Sequence, residues 1–527
     1  MAGTEPRPDA EAPDAEAPDA EAAALVPQRW FAERAANLQL TRFVLLRGIG
    51  FIYLVAFTIL VRQVLPLIGE HGLMPAAGFL ERVREAQPST WSAFSNLPSL
   101  FWLGCSDGAL IALAWLGWLL SLALTLGLAN APLLFCNWLL YESFVHVGQT
   151  FYGYGWDILL LEAGFLAVFL APVWRPWPRA RAVPPLPVIW LFRWLLFRLM
   201  FGAGLIKLRG DECWRDLTCL LYHYETQPNP HPLSWLLHQA PPWFQKGGVL
   251  VNHLVEVVAP FGLFGPRRVR HWAGGATVAF QVMLILSGNL SFLNWLTLVL
   301  ALACFDDTLL ARLLPRALVQ HMVLPDPQPL ARPRQYVSLA LFALVALLSI
   351  NPVANLLSSR QRMNSGFDPL ELVNTYGAFG SVSRERHEVV LEGAAAPAPG
   401  TAPTWLEYEF PCKPGDPLRA PCWITPYHYR LDWQMWFAGL SRAEHEPWIV
   451  NLADKLLQGD GAVLGLLSHN PFPHAPPRYV RATLYRYRFT HFGERGWWHR
   501  EQVGPYLPVL ALDDPRLQAF LRGQGWL

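Results

Sequence analysis

Nine runs of about twenty apolar residues organise this sequence, and about twenty is the length at which a helix can cross the hydrocarbon layer of a bilayer. They fall at roughly 43–62, 109–129, 131–150, 154–172, 188–207, 247–265, 271–287, 290–309 and 336–354, flanked by Arg, Pro and aromatic residues. With 53% hydrophobic and only 15% charged residues, the chain is too apolar for a set of soluble domains. The expected fold is a polytopic α-helical membrane domain of about nine spans over residues 41–355. Ahead of it, residues 1–40 carry PDAEAPDAEAPDAEA, an acidic, proline-broken tail that cannot bury enough apolar surface to fold. The first apolar run is long enough to stay as an anchor rather than be cleaved as a leader.

Arginine-rich short loops mark the cytoplasmic side of a membrane protein. Arg175, Arg179 and Arg181 form one such loop, Arg267, Arg268 and Arg270 a second, and Arg312, Arg316, Arg332 and Arg334 a third. Nine spans with a cytoplasmic N-terminus put all three on one side. The loop carrying Cys213 and Cys219 then lies on the opposite side, as do the Asn289-Leu290-Ser291 turn and everything after about residue 355. That side suits an oxidising compartment, where Cys213 with Cys219 and Cys412 with Cys422 are spaced so that each pair could bridge. Asn289 opens a formal glycosylation triplet so close to the bilayer that an unmodified tight turn is expected. Net charge is +1, which offers no basic field for nucleic acid.

Residues 356–527 change character and contain no further span. Alternation in WLEYEF (405–410), YHYRLDWQMWF (427–437) and RYVRATLYRYRF (478–489) predicts strands, and WIVNLADKLLQGDGAVLGLL (448–467) predicts helix, turn, helix. An extramembrane α+β domain with an antiparallel sheet follows.

Ionisable side chains at membrane depth cost several kcal/mol unless paired, so each is a candidate for function. The candidates are Arg47, Arg193, Arg198 and Lys207 against Glu142, Asp157, Glu162 and Glu256, with His146 and His253 as switchable additions. The balance of signs fits pairs that pin helices together, and such pairs can also surround a cavity. Arg193 and Arg198 are five apart and should meet different partners, whereas His253 and Glu256 share a helix face. Those two lack the further ligands a metal needs. No nucleophile elbow, Walker loop, dinucleotide fingerprint or H-E-x-x-H occurs, so neither cofactor nor metal is expected. Lys207 has two readings: it snorkels to the interface from a helix end, or it sits in a low-dielectric pocket and acts as a base.

The segments FGAGLIKLRGDECWRDLTCLLYHYETQPNPHPLSW, SGNLSFLNWLT, ACFDD, NLLSSRQRMN, VNTYGAFGS and PYHYRLDWQMWF occur in order, and the chain from about residue 40 onward resembles the lipase maturation factors. The resemblance implies a non-enzymatic membrane protein that helps secreted lipases fold and assemble, with the C-terminal domain engaging the client. It also implies the endoplasmic reticulum membrane in a eukaryote, or the inner membrane in a bacterium, with that domain lumenal or periplasmic and the spans in contact with lipid. Ending the chain at residue 364 should then abolish lipase activation and leave a membrane-stable remnant. The shorter pattern A-G-L-x-K-L, Ala203 to Leu208, is similar to one in the vitamin K-dependent carboxylase, where the matching lysine is thought to be the base. A histidine that enzyme uses has no counterpart near Gly155, Trp156 and Asp157.

Overall fold

The computed structural model describes residues 35–174, 182–323 and 327–527. The acidic repeat and the arginines at 175, 179 and 181 lie outside these residues. The first half is helical: α1 (Gln39–Ile68), α2 (Asp107–Leu126), α3 (Ala131–Val147), α4 (Gly155–Leu170), α5 (Leu186–Arg209), α6 (Pro242–His253), α7 (Arg267–Ser287), α8 (Leu293–Ala301) and α9 (Arg332–Leu348). Their ends follow local chemistry. Ser106 and Asn130 accept from the Ala109 and Leu133 N–H groups to cap α2 and α3, and Gly127 closes α2 at φ 123°. A π-helical turn, Leu254–Val258, continues α6 and carries Glu256, and a 3-10 turn extends it to Phe264.

Among the described residues, five helices are long and apolar enough to cross a membrane: α1, α2, α5, Pro242–Phe264 and Arg332–Leu357. Length and composition therefore support five of the expected nine spans. The other four apolar runs do form helices, but α3 and α4 have only 17 and 16 residues. A 3-10 turn at Leu302–Cys304 ends α8 early, and α7 opens with Arg267, Arg268 and Arg270.

The bundle closes around α1, whose Leu45, Ile49, Ile52, Tyr53, Phe57, Leu60 and Val64 are fully buried. Small residues let its neighbours approach: a methyl group at Gly117 would overlap the Phe57 ring, and one at Gly164 would overlap the Tyr53 hydroxyl. At one end of the bundle Asp307 accepts from the Gln39 and Leu40 N–H groups at 2.8 and 2.9 Å, and Arg267 pairs with Asp306 at 2.5 Å. The second half of the chain docks on the other end.

That half is built on an antiparallel sheet in the order β2-β1-β3-β4, from β1 (Arg386–Ala394), β2 (Leu406–Glu407), β3 (Tyr479–Phe489) and β4 (Trp498–Leu510). The expected strand at 478–489 is therefore present as β3, with Tyr487 and Phe489 buried on one face and Arg486 on the other, paired with Glu385 and Glu501. The expected helix, turn, helix is α11 (Pro447–Gln458) followed by Gly461–Leu464. Of 405–410, Leu406 and Glu407 form β2 against β1, and the Tyr408 N–H also donates to Leu391 O at 2.9 Å.

The stretch 427–437 is not a strand. It enters α10 (Arg430–Leu440), in which every residue from Arg430 to Met435 is buried. Its aromatic, alternating composition mimics a strand, and tertiary contacts override that preference: Asp432 accepts from the Cys412 and Lys413 N–H groups at 2.7 and 2.8 Å, and Gln434 donates to Thr150 O at 2.7 Å.

Candidate functional site

Where the two halves meet, buried charges from helices and C-terminal segments pair with one another. Asp157 on α4 receives both Arg430 Nη groups at 2.9 and 3.0 Å and the Tyr141 hydroxyl at 2.5 Å, with both charged side chains fully buried. One turn further along α4, Glu162 pairs with Arg198 on α5, and it also accepts from Tyr376 Oη at 2.7 Å and the Asn374 N–H at 3.1 Å. Arg193 instead donates to Ala303 O at 2.8 Å, so the two arginines of α5 do meet different partners. Glu142 and His146 face each other at 3.5 Å along α3.

Lys207 is 5% exposed, so its side chain is buried within the protein. Its ammonium lies 2.6 Å from both Glu256 carboxylate oxygens and 3.0 Å from Asn252 Oδ1, and Asn252 in turn donates to Glu256 at 3.0 Å. An ammonium has three N–H groups, and three acceptors on the protein stand within reach of them. The π turn carries Glu256 to this position; such turns recur at functional sites. His253 does not join Glu256. Its Nε2 contacts Trp214 O at 2.9 Å, and among the described residues no cluster of three or more His, Cys, Asp and Glu could hold a metal.

Further contacts clamp the halves together. Arg386 of β1 donates to the carbonyls of Glu225, Gln227 and Pro228 and pairs with Glu388, which Lys413 also reaches at 2.9 Å. Asn289 is 1% exposed and binds Cys422 O and the Ile424 and Thr425 N–H groups, so its triplet is a structural turn rather than an accessible acceptor. The structure joins Cys213 to Cys219 and Cys412 to Cys422, with Cα separations of 4.7 and 5.3 Å, both within the range a bridge needs. Asp211 beside the first pair is held at about 2 by its hydrogen bonds to Arg384.

Glu371, between the last helix of the membrane half and β1, behaves oppositely. Burial, with Asp368, Glu162 and Glu142 nearby, pushes its carboxyl up from 4.5 to about 7. A carboxyl whose pKa rises on folding adds stability that is complete below about 4.5 and is lost as pH rises through about 7. The melting temperature of the purified protein is expected to fall between pH 5 and pH 8, and Glu371→Gln to flatten part of that fall. An unchanged slope in the variant would exclude Glu371 as the cause.

Beside these pairs lies a cavity of about 420 Å³ between α5, α6, α7, α8 and α10. Lys207, Glu256 and Asn252 line it together with Trp214, His223 and Trp433. Glu142, His146, Asp157, Glu162, Arg193, Arg198 and His253 do not line it, so the expected intramembrane polar network divides into separate pairs. Sequence reasoning missed Arg430, Tyr376, Asn374 and Asn252. Of these, only Asn252 carried a local signal, four residues before Glu256 on one helix face.

A helical membrane bundle with a sheet domain fixed to one end by a buried ion pair and buried hydrogen bonds is a membrane-integrated assembly rather than a soluble domain on a tether. Residues 40–312 match the model of the lipase maturation factor transmembrane domain, and residues 372–508 that of the lipase maturation factor C-terminal domain. The chain belongs to the lipase maturation factor family. It is 48% identical to lipase maturation factor 1 of Bos taurus, over 94% of this chain and 92% of the relative, and 46% identical to that of Homo sapiens over 92% and 90%. Lipase maturation factor 2 of Homo sapiens is 33% identical over 93% and 85%. No solved structure matches the chain.

Proposed function

We propose that this protein is a membrane-anchored, non-enzymatic factor that assists the folding and assembly of secreted lipases, as the names of its relatives suggest. The observation that carries the reading is likeness to lipase maturation factor 1 through both halves, at 46 to 48% identity over more than nine-tenths of the chain. In this reading the C-terminal domain engages the client from the lumen of the endoplasmic reticulum, or from the periplasm in a bacterium. All nine apolar helices cross the membrane, α3, α4, α7 and α8 together with the five longest apolar ones. The positions of the contacts support the alternation: residues near 39, 193, 267 and 303 to 307 gather at one end, and the docking segments at the other.

The test is rescue. In cells whose own lipase maturation factors have been deleted, expression of this chain with a secreted homodimeric lipase is expected to restore secreted lipase activity per unit of lipase protein. Normal expression and membrane insertion without any restored activity would reject the reading.

A further inference from the structure

The cavity is not needed to hold the two halves together, and its walls have a definite chemistry. Along α5 it runs from Lys207 to Leu199, eight residues or about 12 Å of helix. Its volume of about 420 Å³ lies within the roughly 300–1,000 Å³ of small-molecule sites. The flanks are apolar, formed by Met200, Ala203, Phe280, Leu284 and Trp433. Met283, Phe437 and Leu440 make an apolar lip, 38, 37 and 46% exposed.

Two polar stations interrupt these walls. The first is Lys207 with Glu256 and Asn252. Among the described residues, Lys207 and Glu256 are the only formally charged side chains lining the cavity, and they neutralise each other. His223, also on the wall, is lowered to about 4 by burial and by the charge of Lys207, so it too is neutral near pH 7. The second station is an amide pair. Asn294 donates to Gln281 Oε1 at 2.6 Å, and the Gln281 amide reaches only Met200 Sδ at 3.6 Å, a weak acceptor. Asn294 is 2% exposed, and its Oδ1 has no hydrogen-bond partner among the described residues. A buried carbonyl without a donor is destabilising, so this station is incomplete without a further group. A hydroxyl would complete it, donating to Asn294 Oδ1 and accepting from the Gln281 amide.

We infer that the cavity is a binding site for an uncharged, hydroxyl-bearing lipid that enters from the bilayer past Met283 and Phe437 and sets its hydroxyl against Asn294 and Gln281. The apolar walls take the hydrocarbon. The balanced Lys207 and Glu256 pair disfavours an anion, because a carboxylate or phosphate would have to compete with Glu256 for the ammonium and leave one negative charge buried unpaired.

The test uses the full-length protein in phosphatidylcholine nanodiscs and a monoacylglycerol with a diazirine in its acyl chain. Irradiation is expected to label peptides carrying Met283 or Phe437. Excess unlabelled monoolein should abolish the labelling, and the same concentration of oleate should not. Asn294→Leu, which keeps the volume and removes the acceptor, is expected to lower labelling about tenfold, and Ala203→Phe, which fills the wall, at least as much. Met283→Trp narrows the lip without touching the interior and should slow labelling in a protein that melts as the parent does. Labelling spread over the lipid-facing helices and unchanged in every folded variant would overturn the site. Equal competition by oleate would overturn the neutral ligand. No lipase takes part, so neither result depends on the maturation reading.

Discussion

Replacing Arg430 with Met is expected to cost about 3–5 kcal/mol of stability, the usual penalty for leaving one member of a buried ion pair without its partner. Arg430 and Asp157 are both fully buried, and the guanidinium also donates to Phe151 O at 2.6 Å and lies 3.7 Å over the Tyr152 ring. Without it, Asp157 keeps, among the described residues, only the Tyr141 hydroxyl. A whole domain is stable by only about 5–15 kcal/mol, so this one change should lower the yield of folded protein as well as its melting temperature. Asp157→Leu in the Arg430→Met background should recover part of the loss, because the orphaned charge is then gone. Unfolding followed by tryptophan fluorescence in nanodiscs checks both. A single variant within about 0.5 kcal/mol of the parent would mean that the pair contributes almost nothing to the joint.

Ending the chain at residue 364 is expected to remove the membrane half from the folded pool, not merely to silence the protein. The sequence alone suggests a stable anchor minus its lumenal part. The structure shows what that anchor would lack: Arg430 for Asp157, the Tyr376 hydroxyl and Asn374 N–H for Glu162, His428 O for Gln63, and the 422–425 segment for Asn289. The loss of several buried partners at once should exceed the cost of Arg430→Met. Abundance after a translation block and size-exclusion profiles in mild detergent would measure it. A monodisperse remnant as heat-resistant as the whole chain would show that the halves are independent.

The long helices were legible in the sequence because length and composition suffice to predict them; α1, α5 and α9 are where the apolar runs predict them. Lys207 and Glu256 were both legible as costly charges, but their union was not, since a π turn rather than a regular helix places the carboxylate. Arg430 was not legible as the partner of Asp157, because it lies 273 residues away in a segment whose alternation imitates a strand. Periodicity reports which face of an element is buried and says nothing about what it is buried against. Burial also sets properties that composition cannot show. His428 sits among Tyr154, Trp156 and Trp433, and burial, then the charge of Arg430, keeps its imidazole well below the ordinary range.

The separation between Asp157 and Arg430 also has a consequence in time. Glu162 can meet Arg198 after only 36 further residues, but Asp157 waits for 273. At roughly 5–20 residues per second the ribosome needs about 15–55 s to cover that distance. For that interval α4 is complete and carries an acid whose permanent counterion has not yet been made. Whatever shelters Asp157 meanwhile, water at the bilayer edge or the insertion machinery, is released only when the C-terminal half arrives, so the membrane bundle is finished last by a residue outside it.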